Sequence, residues 1–180
     1  MIPYSRQNIN TEDIKSVKKV LRSDFLTQGS FVPKFEDLLV KFTGAKYSVT
    51  ANSATSALHI ACLALEVKKG DIVWTSPNTF VASANCALYC GADVDFVDIN
   101  PLTYNICIDR LEAKLIQSKK LNKLPKVIIP VHFSGYPCDM PKIYKLSKKY
   151  NFKIIEDASH AIGSKYKHFK KDIKIGSCKH

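Results

Sequence analysis

Four short apolar runs separated by stretches of helical periodicity restrict this chain to a small set of folds. The runs are residues 71–75, 94–99, 126–131 and 152–155. They are rich in Val and Ile, and the last two show little polar alternation. Such runs suit strands of a parallel sheet covered on both faces. Between them, residues 79–91, 108–118 and 141–150 carry apolar side chains at helical spacing, and Pro141 stands where a helix can begin. Strand following helix following strand predicts an α/β domain built on a parallel sheet.

In such sheets ligands gather beyond the carboxyl ends of the strands. The segment Glu156-Asp157-Ala158-Ser159-His160-Ala161-Ile162-Gly163 follows the run at 152–155 and places an acidic pair, a Ser and a His there. An Asp at that place can hold a metal, orient a His or pair with a protonated ring nitrogen. It can equally cap the next turn. Residues 46–50 form a further strand candidate, followed by the small residues Ala51 to Ser56 and a strong Ala- and Leu-rich helix at 57–66. Small side chains ahead of a helix let an anion approach the first backbone N–H groups, and they also serve as a plain turn and cap. Thr79 is placed to cap the helix at 79–91. Phe80, at its start, is either a core aromatic or a flat surface for a planar ligand. His132 ends the strand at 126–131 and reads as a structural histidine below the site.

The amino-terminal part reads differently. A helix opens at Asn8–Asp13 with Ile14, Val17, Val20 and Leu21 on one face. A loop covers 23–30, and a second helix at 32–42 presents Phe35, Leu38, Leu39 and Phe42 as a buried face, ended by Gly44. Residues 165–175 suggest a hairpin or a surface loop. At 46% hydrophobic and 24% charged the chain is globular in type. No apolar run reaches the roughly 20 residues of a membrane span, and the first residues lack a signal-peptide layout, so a cytoplasmic protein is expected. Six scattered cysteines without a CxxC pair read as free thiols, not as a disulfide frame or a zinc site. The net charge of +11 is spread over isolated lysine pairs; solvated helix faces explain it better than nucleic-acid binding does.

Together the segments resemble the DegT/StrS family of pyridoxal-phosphate (PLP) sugar aminotransferases, of the aspartate aminotransferase type I fold. The matching pieces occur in the family's order: Pro3 to Gln7, Leu26-Thr27-Gln28-Gly29, Phe35-Glu36, Asn52-Ser53-Ala54-Thr55-Ser56-Ala57-Leu58, Thr79-Phe80, Pro130-Val131-His132 and Glu156 to Ala161. The fourth and last are most similar to the family's pseudaminic-acid branch. The resemblance implies an incomplete large domain with a mostly parallel sheet. Residues 1–45 would be an amino-terminal helical segment, and 46–180 part of the PLP-binding domain, without the small carboxyl-terminal domain. It also implies roles. Asp157 would pair with the pyridinium nitrogen, His160 would lie near the ring oxygen and Phe80 would stack on the ring. The N–H groups of Ala54, where the usual pattern has Gly, and of Thr55 would hold the phosphate. Tyr4, Asp24, Phe25, Leu26 and Thr27 would line the nucleotide-sugar side.

The implied reaction converts a UDP-linked 4-keto-6-deoxy-N-acetylhexosamine to its 4-amino sugar, with glutamate as donor, in nonulosonic acid or surface glycan biosynthesis. Intact relatives work as homodimers. The family's Schiff-base lysine belongs to a Ser-Phe-His-Pro-x-Lys-like stretch expected beyond His180, and Lys179 lies in no such motif. The 180 residues alone are therefore expected to be inactive. Two alternatives stay open: a family relative with His at the lysine position that removes a sugar hydroxyl, and a truncated product without catalysis.

Overall fold

The computed structural model describes residues 6–179. Its centre is a four-stranded, wholly parallel sheet in the order β2-β1-β3-β4, formed by β1 (Ile72–Thr75), β2 (Asp93–Phe96), β3 (Val127–Ile129) and β4 (Lys153–Ile154). Alternate residues of β1 and β3 face opposite ways, as the pleat requires. Trp74 and Ile128 pack with Leu111, Leu115, Ile143 and Leu146 on one side. Val73, Val127 and Ile129 pack with Leu58, Cys62, Cys86 and Ala87 on the other. The result is three layers: α3 (Ala54–Ala64) and α4 (Ala82–Tyr89) on one face, α5 (Ile108–Lys120) and α6 (Met140–Tyr150) on the other.

Local chemistry starts and stops these helices. Ser53 caps α3 by accepting from the Ser56 N–H at 3.2 Å. Asp139 caps α6, and Pro141 falls in its first turn. The expected hairpin forms from β5 (Lys165–His168) and β6 (Lys171–Lys174), which pair antiparallel.

Four expectations are corrected. Residues 46–50 are extended but join no strand; Thr50 instead offers its N–H and hydroxyl to Glu36. β4 is an edge strand, so residues 153–155 are only partly covered although Phe152 is buried. Thr79 does not cap α4, whose cap position, Val81, has no side-chain bond to offer. The fourth correction concerns α1 (Thr11–Leu21) and α2 (Phe31–Thr43). Both form where the periodicity predicts, α1 with a complete capping box between Asn10 and Asp13. Yet neither buries a residue: Phe35 is 53% and Leu38 62% exposed, and Phe42 also faces outward. α2 is tied down at Glu36, through Thr50, and at its end through Lys174, whose ammonium lies 4.7 Å from the centre of the Phe42 ring.

Candidate functional site

The parallel pairing of β3 with β4 continues past the named strands. The Asp157 N–H donates to Pro130 O at 3.0 Å, and the His132 N–H to Asp157 O at 3.1 Å. This places Asp157 beside Val131 at the carboxyl edge of the sheet. A cavity of about 530 Å3 opens there, and its walls come from four places in the chain. Ala54, Thr55 and Leu58 belong to α3. Asn78 to Phe80 follow β1, Val131 to Ser134 follow β3, and Asp157, Ser159 and His160 follow β4. The five cofactor-site residues expected from the sequence thus meet in one space.

Asp157 is the best-organised group in it. The side chain is nearly buried, at 7% exposure. Ser159 donates its hydroxyl to Oδ1 at 2.6 Å and its N–H to the same oxygen at 3.2 Å. Ser83 donates its hydroxyl to Oδ2 at 2.6 Å. O–H···O distances this short belong to charge-assisted bonds to a carboxylate. The Ser159 N–H bond is also the turn cap that the sequence allowed as a plain alternative, so Asp157 both caps a turn and faces the cavity.

The other walls complement it. Ala54 and Thr55 are the first two residues of α3, and their N–H groups precede the helix's own hydrogen-bond ladder. The helix end therefore offers donors and partial positive charge to an anion. Phe80 is 73% exposed, which excludes a core role and leaves a flat apolar face toward solvent. The return after β3 is held closely. Ser134 takes a left-handed conformation, and a Cβ on Gly135 would stand 2.7 Å from His160 O. Only glycine suits Gly135, whose φ is +83°. Ser164 Oγ donates to Gly135 O at 2.7 Å, tying this return to the segment after His160.

His132, expected below the site, instead lines the cavity wall, with both ring nitrogens engaged. Its Nδ1 accepts from the Cys138 N–H at 3.0 Å, so the ring proton sits on Nε2 and points at Glu156 Oε2, also 3.0 Å away. Of the buried thiols, Cys86 is held below its ordinary value by a hydrogen bond with Cys62, and the other two are raised. Burial pushes Cys138 up to about 12, while a hydrogen bond to Cys86, with burial, raises Cys62. All six cysteines are free.

The substrate-side residues lie elsewhere. Asp24, Phe25, Leu26 and Thr27 sit in the exposed α1–α2 loop and do not line the cavity; Tyr4 lies outside the described residues. Sequence reasoning missed Ser83. Its partner, Asp157, lies 74 positions away, beyond the reach of any local pattern. Ser159 lay inside a quoted motif with no role attached.

A nearly buried carboxylate, a helix amino terminus and an exposed aromatic lining one cavity fit a planar ring bearing an N–H and an anionic arm. Among the described residues no lysine lines the cavity, and no helix is long and apolar enough to cross a membrane. The sequence profile described as the DegT/DnrJ/EryC1/StrS aminotransferase family matches residues 7–179. A UDP-4-amino-4,6-dideoxy-N-acetyl-beta-L-altrosamine transaminase of Campylobacter jejuni is 46% identical over 98% of this chain and 45% of its own length. The crystallised Helicobacter pylori PseC, an aminotransferase involved in the biosynthesis of pseudoaminic acid, superposes with a TM-score of 0.82. It is 34% identical, over 94% of this chain and 44% of its own. A putative sugar aminotransferase of Streptococcus pneumoniae, in its PMP form, gives a TM-score of 0.84 at 31% identity, covering 98% of this chain and 45% of that one. The chain thus spans about half the length of the relatives it matches.

Proposed function

The chain belongs to the DegT/DnrJ/EryC1/StrS aminotransferase family, and on that premise we propose that its protein is a PLP-dependent sugar aminotransferase. Its substrate on this reading is a UDP-linked 4-keto-6-deoxy-N-acetylhexosamine, aminated at C4 with glutamate as donor, in cytoplasmic synthesis of a nonulosonic acid or surface glycan. The observation that carries the reading is the Asp157 carboxylate, fixed by Ser83 and Ser159 and facing the same cavity as the first N–H groups of α3.

Each wall then has a task. The N–H groups of Ala54 and Thr55 hold the phosphate of PLP, Phe80 covers one ring face, and Asp157 accepts from the ring nitrogen. His160, on the same cavity wall, would lie near the ring oxygen. When bound, PLP supplies a ring that takes up an electron pair from carbon; a carboxylate at its nitrogen keeps that ring positively charged. The proton-shuttling lysine of the family would come from the stretch expected beyond residue 180, and the 180 residues alone are proposed to be inactive. The protein would work as a homodimer. The exposed α1–α2 loop, with Asp24 to Thr27, and Tyr4 would serve the nucleotide-sugar side of a site shared between protomers. Residues 1–45 are then an amino-terminal helical segment and 46–180 part of the PLP-binding domain, completed by a small domain.

The test is to supply the full-length protein with PLP, 15N-glutamate and the UDP-linked 4-keto sugar, and to weigh the sugar product. A 4-amino sugar carrying 15N is the expected result. Recovery of unaminated sugar, or of a sugar that has lost a hydroxyl, would overturn the assignment.

A further inference from the structure

Thr79 precedes α4 and Ser83 is its second residue, on either side of the cap position Val81. Here the helix has no side-chain cap. The Thr79 and Ser83 hydroxyl oxygens instead lie 2.7 Å apart, and Ser83 donates onward to Asp157 Oδ2 at 2.6 Å. The direction of these bonds is fixed by counting protons. A serine hydroxyl has one proton, and the ionised carboxylate can only accept. At 2.6 Å from an anion the Ser83 proton goes to Asp157, not to the Phe80 carbonyl at 3.2 Å. Thr79 must then donate to Ser83. Ser83 and Thr75 are fully buried, and the Thr75 hydroxyl is engaged with Ile129 O.

We propose that Thr79 and Ser83 form a one-way hydroxyl relay that positions Asp157 and holds the negative charge on it when a ring nitrogen donates to it. They are positioning residues. Without the relay, Oδ2 loses its only donor among the described residues, and the carboxylate competes better for the proton it shares with the ring. The inference rests on the PLP reading above and deepens it.

The probe is pyridoxamine phosphate labelled with 15N in the ring, which needs no lysine to bind. It is titrated into the full-length protein and into the variants Ser83→Ala, Thr79→Val and Thr79→Ser. Wild type should bind with the ring 15N signal at its protonated position. Ser83→Ala should weaken binding about tenfold, the order expected for one hydrogen bond to a charged group. It should also move the 15N signal toward the unprotonated position. Thr79→Val should do both to a smaller degree, and Thr79→Ser, which keeps the hydroxyl, should restore both. Should Ser83→Ala fail to fold, the Thr79 pair decides alone, since its side chain lies on the cavity wall. Binding by wild type with an unchanged 15N signal in Thr79→Val would overturn the relay and leave the cofactor site standing. No binding by wild type would overturn both.

Discussion

α2 and α6 have the same design and opposite fates. Each has a proline in its first turn and apolar side chains at helical spacing, and each is of similar length. α6 buries Met140, Ile143, Leu146 and Tyr150 against the sheet and α5. α2 leaves Phe35, Leu38 and Phe42 largely exposed and is held by polar contacts, Glu36 to Thr50 and its last turn to Lys174. Periodicity fixes which face of a helix is apolar; it does not say whether the partner for that face lies in the same chain. α6 has its partner because the strands on either side of it, β3 and β4, pair in one sheet and hold it there. α2 is followed by an extended segment that joins no strand, so nothing draws its face onto the sheet.

The largest expected effect tests the buried side. Ile143→Ala should cost about 3 kcal/mol of unfolding free energy, the usual range for emptying a tight aliphatic site, read from denaturant midpoints of the 180-residue chain. Leu38→Ala in the same chain should cost well under about 1 kcal/mol. Equal losses would mean that the α2 face is covered and the comparison is wrong. In the full-length protein Leu38→Asp should instead lower the dimer fraction measured by sedimentation, if a second protomer covers that face.

Next comes Gly135→Ala, which combines a left-handed φ with a Cβ 2.7 Å from His160 O. A loss of about 2 kcal/mol is expected, together with weaker pyridoxamine phosphate binding, because the return beside His160 must shift. Wild-type stability and binding would show that the return is slack. Ser53→Ala should cost about 1 kcal/mol as a lost helix cap, on the same denaturant scale.

The smallest effect is electrostatic. Burial pushes the Asp71 carboxyl up, but hydrogen bonds from Lys126 and the Lys68 N–H, with both positive charges, outweigh it and hold the group below its ordinary 3.8. A carboxyl lowered by folding stabilises the native state above its unfolded value, and that contribution fades as pH falls through the folded value. Asp71→Asn should therefore reduce stability slightly at neutral pH and flatten its decline below about pH 3.8. Parallel pH curves for the variant and wild type would remove the pair from the account.

Much of the sheet was legible because fully buried strands have few sequence solutions. β1 and β3 announce themselves by β-branched runs, and Asp157 by standing directly after another. What escaped was set by partners distant in sequence. Ser83 bonds Asp157 across 74 positions, and no local signal tells a capping hydroxyl from one turned inward. The 46–50 segment has strand composition, yet composition cannot supply a neighbouring strand. Residues 24–27 were placed from resemblance alone, and they lie in an exposed loop that does not line the cavity.

The most direct measurement is a crystal structure of the full-length protein with pyridoxamine phosphate. The account expects the phosphate at the Ala54 and Thr55 N–H groups, the ring against Phe80 and its nitrogen within hydrogen-bond reach of Asp157. A ligand bound elsewhere, or one seated here with its ring nitrogen turned away from Asp157, would contradict it.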